Sequence, residues 1–255
     1  MATIPRAALD YLTEEVNAVS ADAQARVMRV LAQVDWSNVS DARAVVVEAV
    51  EMALRSSTAL AAQASADFYD LARELAIGSA MGAQVLPGYI PEATEGAIRA
   101  AVQKIVDGKP VQVFNDFVLQ RIDYEIKLAA ANSTIANGRL DVRKPRFARV
   151  PTGSETCDFC LMLASRGFVY HTESTASMGH VHSSCDCRIV AGWDGMDVEG
   201  YDTRDIFDRW QRQMDAMAKE RAERKGTTED EEYDAIMAGY GRAARNAKKA
   251  GRSKA

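Results

Sequence analysis

Apolar residues recur at helical spacing through the first half of the chain. Leu12, Val16, Val27, Val30 and Leu31 share one face and predict a helix from Pro5 to about Val34. The segment Asp35 to Ser40 breaks it, with Ser40 as the expected N-cap of the next helix and Asp41 in its first turn. Val46, Val50, Ala53, Leu60, Ala64, Phe68, Leu71 and Leu75 then form one stripe, predicting a single helix of roughly 35 residues, about 50 Å long. Such a length fits a bundle with extended arms or a helix that docks on a partner, and its stripe reads first as core packing. Gly78, Gly82, Pro87-Gly88 and Pro91 mark a loop. Helical periodicity resumes from Glu92 to Val106, stops at Asp107-Gly108-Lys109-Pro110, and returns from Val111 to Ala136. Asn137-Gly138 is expected to close that helix, with the glycine in the left-handed conformation.

Beyond Gly138 the period changes. Val142, Phe147 and Val150 alternate with Arg143, Lys144, Arg146 and Arg149, predicting one or two short strands up to Pro151, at a sheet edge. A short helix over Thr156–Ser165, a strand near Phe168–Tyr170 and another over Arg188–Ala191 follow. From Asp202 the helical period returns, with Ile206, Phe207, Trp210, Met214 and Met217 on one face. The expected fold is α+β. A predominantly helical domain with long helices covers residues 1–138, a small α+β domain covers 139–198, and a helical segment with a basic tail covers 199–255.

Composition narrows the classes. The 255 residues have an ordinary apolar fraction and a net charge of −5, so the whole molecule is not a polyanion binder. No run of about eighteen apolar residues is present, and Met-Ala-Thr-Ile-Pro-Arg lacks the features of a signal peptide, so no membrane association and a reducing cytoplasm are expected. Charge is nevertheless uneven: the acidic run Glu229-Asp230-Glu231-Glu232 precedes a stretch from Arg242 to Lys254 whose charges are all positive. That tail could meet DNA phosphates or an acidic partner, or lie solvated.

All four cysteines fall in one window, Cys157-Asp-Phe-Cys160 followed by His182-Ser-Ser-Cys185-Asp-Cys187. In a reducing compartment such a spacing favours metal over disulfides, and thiolates with imidazole favour Zn²⁺. Five candidates serve four positions. Cys157, Cys160, His182 and either Cys185 or Cys187 form the favoured set, with the four cysteines as the alternative. Four protein ligands leave no open position, so the zinc is expected to be structural, a staple for a domain with little core. His180 is a substitute ligand. His171, with Glu173 and Arg146, is the sole candidate group for acid, base and anion-holding chemistry, and a surface histidine is the simpler reading. The cations of 143–149 read either as a phosphate-facing surface or, with slightly more weight, as the solvent face of an edge strand. Nucleotide-loop, dinucleotide, zinc-protease and serine-hydrolase motifs are absent, so no enzyme is expected.

The window resembles the minor head proteins of tailed phages, the MuF-like or head morphogenesis family, in its branch from phages of Gram-positive bacteria. The matching residues are Arg149-Val-Pro-Thr-Gly153, Thr156-Cys-Asp-Phe-Cys160 through Gly167, Val169-Tyr170 and His182-Ser-Ser-Cys185-Asp-Cys187, with Asn132 to Gly138 closing the helical half. The entry Val181-His182-Ser-Ser departs from the more aromatic, histidine-rich version usual there. The resemblance implies a few-copy structural protein of the capsid interior, assembled in the host cytoplasm and associated with the portal, with scaffold and major capsid protein as further partners. It implies a role in head assembly or in DNA packaging and ejection. The competing readings are a zinc-containing nuclease or nucleotide-transfer toxin, and a DNA-binding zinc module.

Overall fold

A computed structural model describes residues 2–153, 156–171 and 186–252, with 242–252 described by backbone alone. The described residues are mostly helical with two small sheets, an α+β arrangement. In chain order they form β1 (Thr3–Ile4), α1 (Arg6–Leu31), α2 (Val39–Ile77), α3 (Pro91–Val106), α4 (Val111–Leu140), β2 (Arg146–Pro151), α5 (Asp158–Ala164), β3 (Cys187–Gly192), β4 (Asp197–Val198), α6 (Thr203–Lys225) and α7 (Glu229–Arg252). None of the described helices is long and apolar enough to cross a membrane. The chain folds into two compact units. One contains residues 7–71 and 80–137, the other residues 1–6, 72–79 and 138–255.

The first unit is all helix and loop. Leu9, Leu12, Val16, Ala23 and Val27 of α1 are buried, as are Ile98 of α3 and Phe114, Val118, Ile122 and Ile126 of α4. The long helix α2 spans 39 residues. Its N-cap is Asn38, not Ser40: Asn38 Oδ1 accepts the N–H groups of Ser40 at 3.1 Å and Asp41 at 3.4 Å. Its buried face also differs from the expected stripe, since Leu60, Leu71 and Leu75 are 55%, 41% and 41% exposed. Val46, Val50, Ala53 and Phe68 of that stripe are buried, but so are Leu54, Ala61, Ala62, Ala66 and Tyr69 outside it, together with Ser57, Thr58 and Ser65. Small residues let another backbone come close, and α4 uses that space: Ser133 Oγ donates to the Ala62 carbonyl at 2.9 Å.

Asn137 and Gly138 do not end α4, which continues to Leu140. Each has a different task. The Asn137 amide clamps the loop after α2, accepting from Gln84 N–H at 2.7 Å and donating to Gln84 O at 2.8 Å. Gly138 lacks the positive φ of a left-handed cap. It leaves room for an aromatic ring, because a Cβ there would stand 2.9 Å from Phe147 Cε1 and 3.3 Å from Pro145 Cγ.

The second unit gathers both sheets. β2 pairs antiparallel with β3, in the register Arg146 to Gly192, Arg149 to Ile189 and Pro151 to Cys187. β1 pairs in parallel with β4, Thr3 opposite Asp197 and Ile4 opposite Val198. Arg6 secures this pair, donating its N–H to Glu199 Oε2 at 3.0 Å and Nη1 to the Pro151 carbonyl at 3.1 Å. The strand expected near Phe168–Tyr170 is reduced to an isolated bridge from Tyr170 to Phe147. Buried Tyr170 and Tyr201 bond the carbonyls of Leu163 and Ala164, and so seat the C-terminal end of α5.

On α6, Asp202 caps the N-terminus through Arg204 and Asp205 N–H, and left-handed Gly226 closes the C-terminus. Its buried line is Ile206, Trp210, Met214, Ala218 and Ala222, while Phe207 is 41% exposed. The basic residues from Arg242 to Arg252 fall on the C-terminal part of α7, where side chains lie outside the described residues.

Candidate metal centre

Two elements bring the described cysteines together. The seven-residue helix α5 begins immediately after Cys157, whose Sγ accepts the Cys160 N–H at 3.4 Å, so the C-x-x-C segment forms the first turn with a sulfur as its cap. Gly167, at φ +69°, follows the end of that helix. Cys187 is the first residue of β3. Its Sγ lies 3.4 Å from Cys160 Sγ although the residues are 27 positions apart, and Cys157 packs against the pair. All three are thiols.

Beside the sulfurs lies Arg149, a cation expected on a phosphate-facing surface or on the solvent face of an edge strand. Arg149 is fully buried and donates Nη1 to Cys187 Sγ at 3.1 Å and to Cys160 Sγ at 3.5 Å. Strand geometry accounts for it. Residues three apart on a strand face opposite ways, so Arg146 and Arg149 cannot share one solvent face. Arg149 lies opposite Ile189, which makes Cys187 its diagonal neighbour on the same face, within reach of a long side chain.

The surroundings hold this arrangement. Thr156 Oγ1 donates to Asp186 Oδ2 at 2.9 Å, and Thr152 N–H donates to the Asp186 carbonyl at 3.1 Å. A Cβ at Gly153 would stand 2.7 Å from Asp186 Oδ2, so this close approach requires glycine. The Tyr240 hydroxyl of α7 donates to Asp158 Oδ2, and the rings of Tyr240 and Phe159 meet at a tilt of 33° with centroids 5.9 Å apart. Burial, then the bonded Asp158 carboxylate, pushes the Tyr240 hydroxyl well above its ordinary range, so it remains a donor.

The donor chemistry suits a soft cation. Two thiolates bound to tetrahedral zinc, each at about 2.3 Å, hold their sulfurs roughly 3.8 Å apart. The 3.4 Å separation needs only a small adjustment to reach that. Anionic thiolates would also meet the buried guanidinium favourably. Among the described residues no group of three His, Cys, Asp or Glu side chains is arranged to hold a metal. His182 and Cys185, like His180 and Glu173, lie outside the described residues. His171 is described and exposed.

Comparison with known proteins gives one family. Residues 3–213 match the model described as VG15 protein. No curated protein and no solved structure matches the chain.

Proposed function

The chain belongs to the VG15 family and is a phage protein, and from that premise we propose that it is a minor structural component of the virion. In this reading it sits in the capsid interior with the portal and acts in head assembly or in DNA packaging and ejection, without catalysis. The helices supply docking surfaces. The sheet-containing unit is held by zinc on Cys157, Cys160 and Cys187, with His182 or Cys185 as the fourth ligand.

The observation that carries the zinc assignment is the approach of Cys160 and Cys187 Sγ to 3.4 Å across 27 residues of sequence. Bound zinc would supply a closed cross-link between α5 and β3, with no position left for a reacting water. Arg149 would balance the thiolate charge, as partners beyond the ligands commonly do.

Freshly purified, reduced protein is expected to contain about one zinc per chain, and Cys160→Ser and Cys187→Ser to lose it along with the fold of their unit. Reduced, folded protein without stoichiometric zinc would overturn the metal assignment. Mass spectrometry of purified particles should find the chain in virions, and pull-down should recover it with the portal protein. Its absence from particles would overturn the virion role whatever the zinc content.

A further inference from the structure

At the Arg146–Gly192 end of the strand pair, the opposite end from Cys187, the turn joining α4 to β2 carries a second candidate site. Ile77, Arg143, Lys144, Arg146, Phe168 and Trp193 are among the residues lining a cavity of about 360 Å³, completed by the chain from Gly192 to Met196. That volume is within the range of ligand-sized pockets. Its floor is apolar, with Trp193 and Met196 buried and Phe168 packed flat enough on Gly192 that a Cβ there would meet its ring at 2.5 Å. Its rim is cationic. Arg143, Lys144 and Arg146 are exposed, and neither the Arg143 nor the Arg146 guanidinium forms an ion pair with a described residue. Asp194 is the carboxylate among the lining residues.

The turn that presents these cations is built. Buried Asp141 forms an ion pair with Arg73 Nε at 2.8 Å, and its other oxygen accepts the Arg143 N–H at 2.8 Å. The Asp141 carbonyl accepts the Lys144 N–H at 3.1 Å, and Lys144 adopts φ +45°, the one positive φ outside glycine among the described residues. Lys144 Nζ donates to the Arg139 carbonyl at the end of α4. A left-handed lysine costs about 1 kcal/mol or more and persists where its surroundings fix it. Here they fix neighbouring positive charges at the mouth of one cavity, in a chain whose overall charge is −5.

We propose that this cleft binds the phosphodiester backbone of DNA, with Arg143 and Arg146 on phosphates, Lys144 adding charge, and the apolar floor against the sugars. Planar guanidinium groups fit phosphate oxygens in pairs, and apolar contact suits the deoxyribose faces between them. The site is distinct from the basic part of α7 and does not depend on zinc or on the virion assignment.

The test uses the full chain with a fluorescent 20-base-pair DNA duplex, read by anisotropy across a salt series. Arg143→Gln/Arg146→Gln is compared with Lys248→Gln/Lys249→Gln. Both arginines are exposed, so unchanged circular dichroism and urea midpoint will report an intact fold. The cleft variant is expected to bind at least about tenfold more weakly near 0.1 M salt, and its slope of log affinity on log salt should fall by about two. Equal binding by the cleft variant and parent would overturn the proposal, as would no binding by the parent. A loss confined to the α7 variant would also overturn it, and so would a cleft variant that loses only portal recovery.

Discussion

Gly138 shows how one atom separates two local readings. Asn-Gly after a helical stretch has the composition of a C-cap, yet here the helix continues and the missing Cβ makes room for Phe147, nine positions further on. Gly138→Ala should therefore destabilise the protein by roughly 1–3 kcal/mol through overpacking, although alanine in a helix interior would otherwise gain about 1 kcal/mol. Urea denaturation of the variant, and of Gly138→Ala combined with Phe147→Leu, checks this: the second change should recover part of the loss. Arg149 follows the same logic. Its burial was not legible from a run of basic residues, because charge type says nothing of which strand face a residue occupies. The C-x-x-C turn, by contrast, was legible at once, since spacing alone brings Cys157 and Cys160 onto one turn.

Elements were legible in proportion to their length. The long helices declare themselves by period, and Gly and Pro between them by their backbone limits, so α3 and the start of α4 fall where the sequence predicts. The face of α2 was harder. Selecting its large apolar residues picks out Leu60, Leu71 and Leu75, whereas close helix packing buries alanine and serine. Two-residue strands have no period at all, and β1 and β4 left no trace. The turn after α4 depends on a buried ion pair from a distant helix, Arg73 with Asp141, which also organises the cationic rim. Asp141→Ala leaves that guanidinium without its carboxylate in a buried setting and should cost about 3–5 kcal/mol. The expected sign is a lower urea midpoint, accompanied by weaker DNA binding even though no rim cation has changed.

At the scale of the whole molecule, the two units rest on different sources of stability. Residues 7–71 and 80–137 bury long helical faces. The other unit has, beside the buried line of α6, only short strands, a seven-residue α5 and, in the proposed reading, a metal cross-link. Chelation should therefore act unequally. Trp193 and Trp210 belong to the unit with the cysteines and Trp36 to the helical one, so a Trp36→Phe variant isolates the first signal. Removing zinc is expected to red-shift that fluorescence while most far-ultraviolet helical signal persists. Loss of both together would show that the units do not fold separately.

The pairing of β1 with β4 also sets a sequence of events during synthesis. Thr3 and Ile4 leave the ribosome long before their partners Asp197 and Val198. Arg6 waits as long for Glu199, 193 positions away. Contacts so far apart carry a large loop-closure cost and form late. Residues 7–71 and 80–137 are all made before Asp197, so the helical unit can collapse first, whereas the unit that holds the cysteines closes only when Thr3 and Ile4 are recaptured.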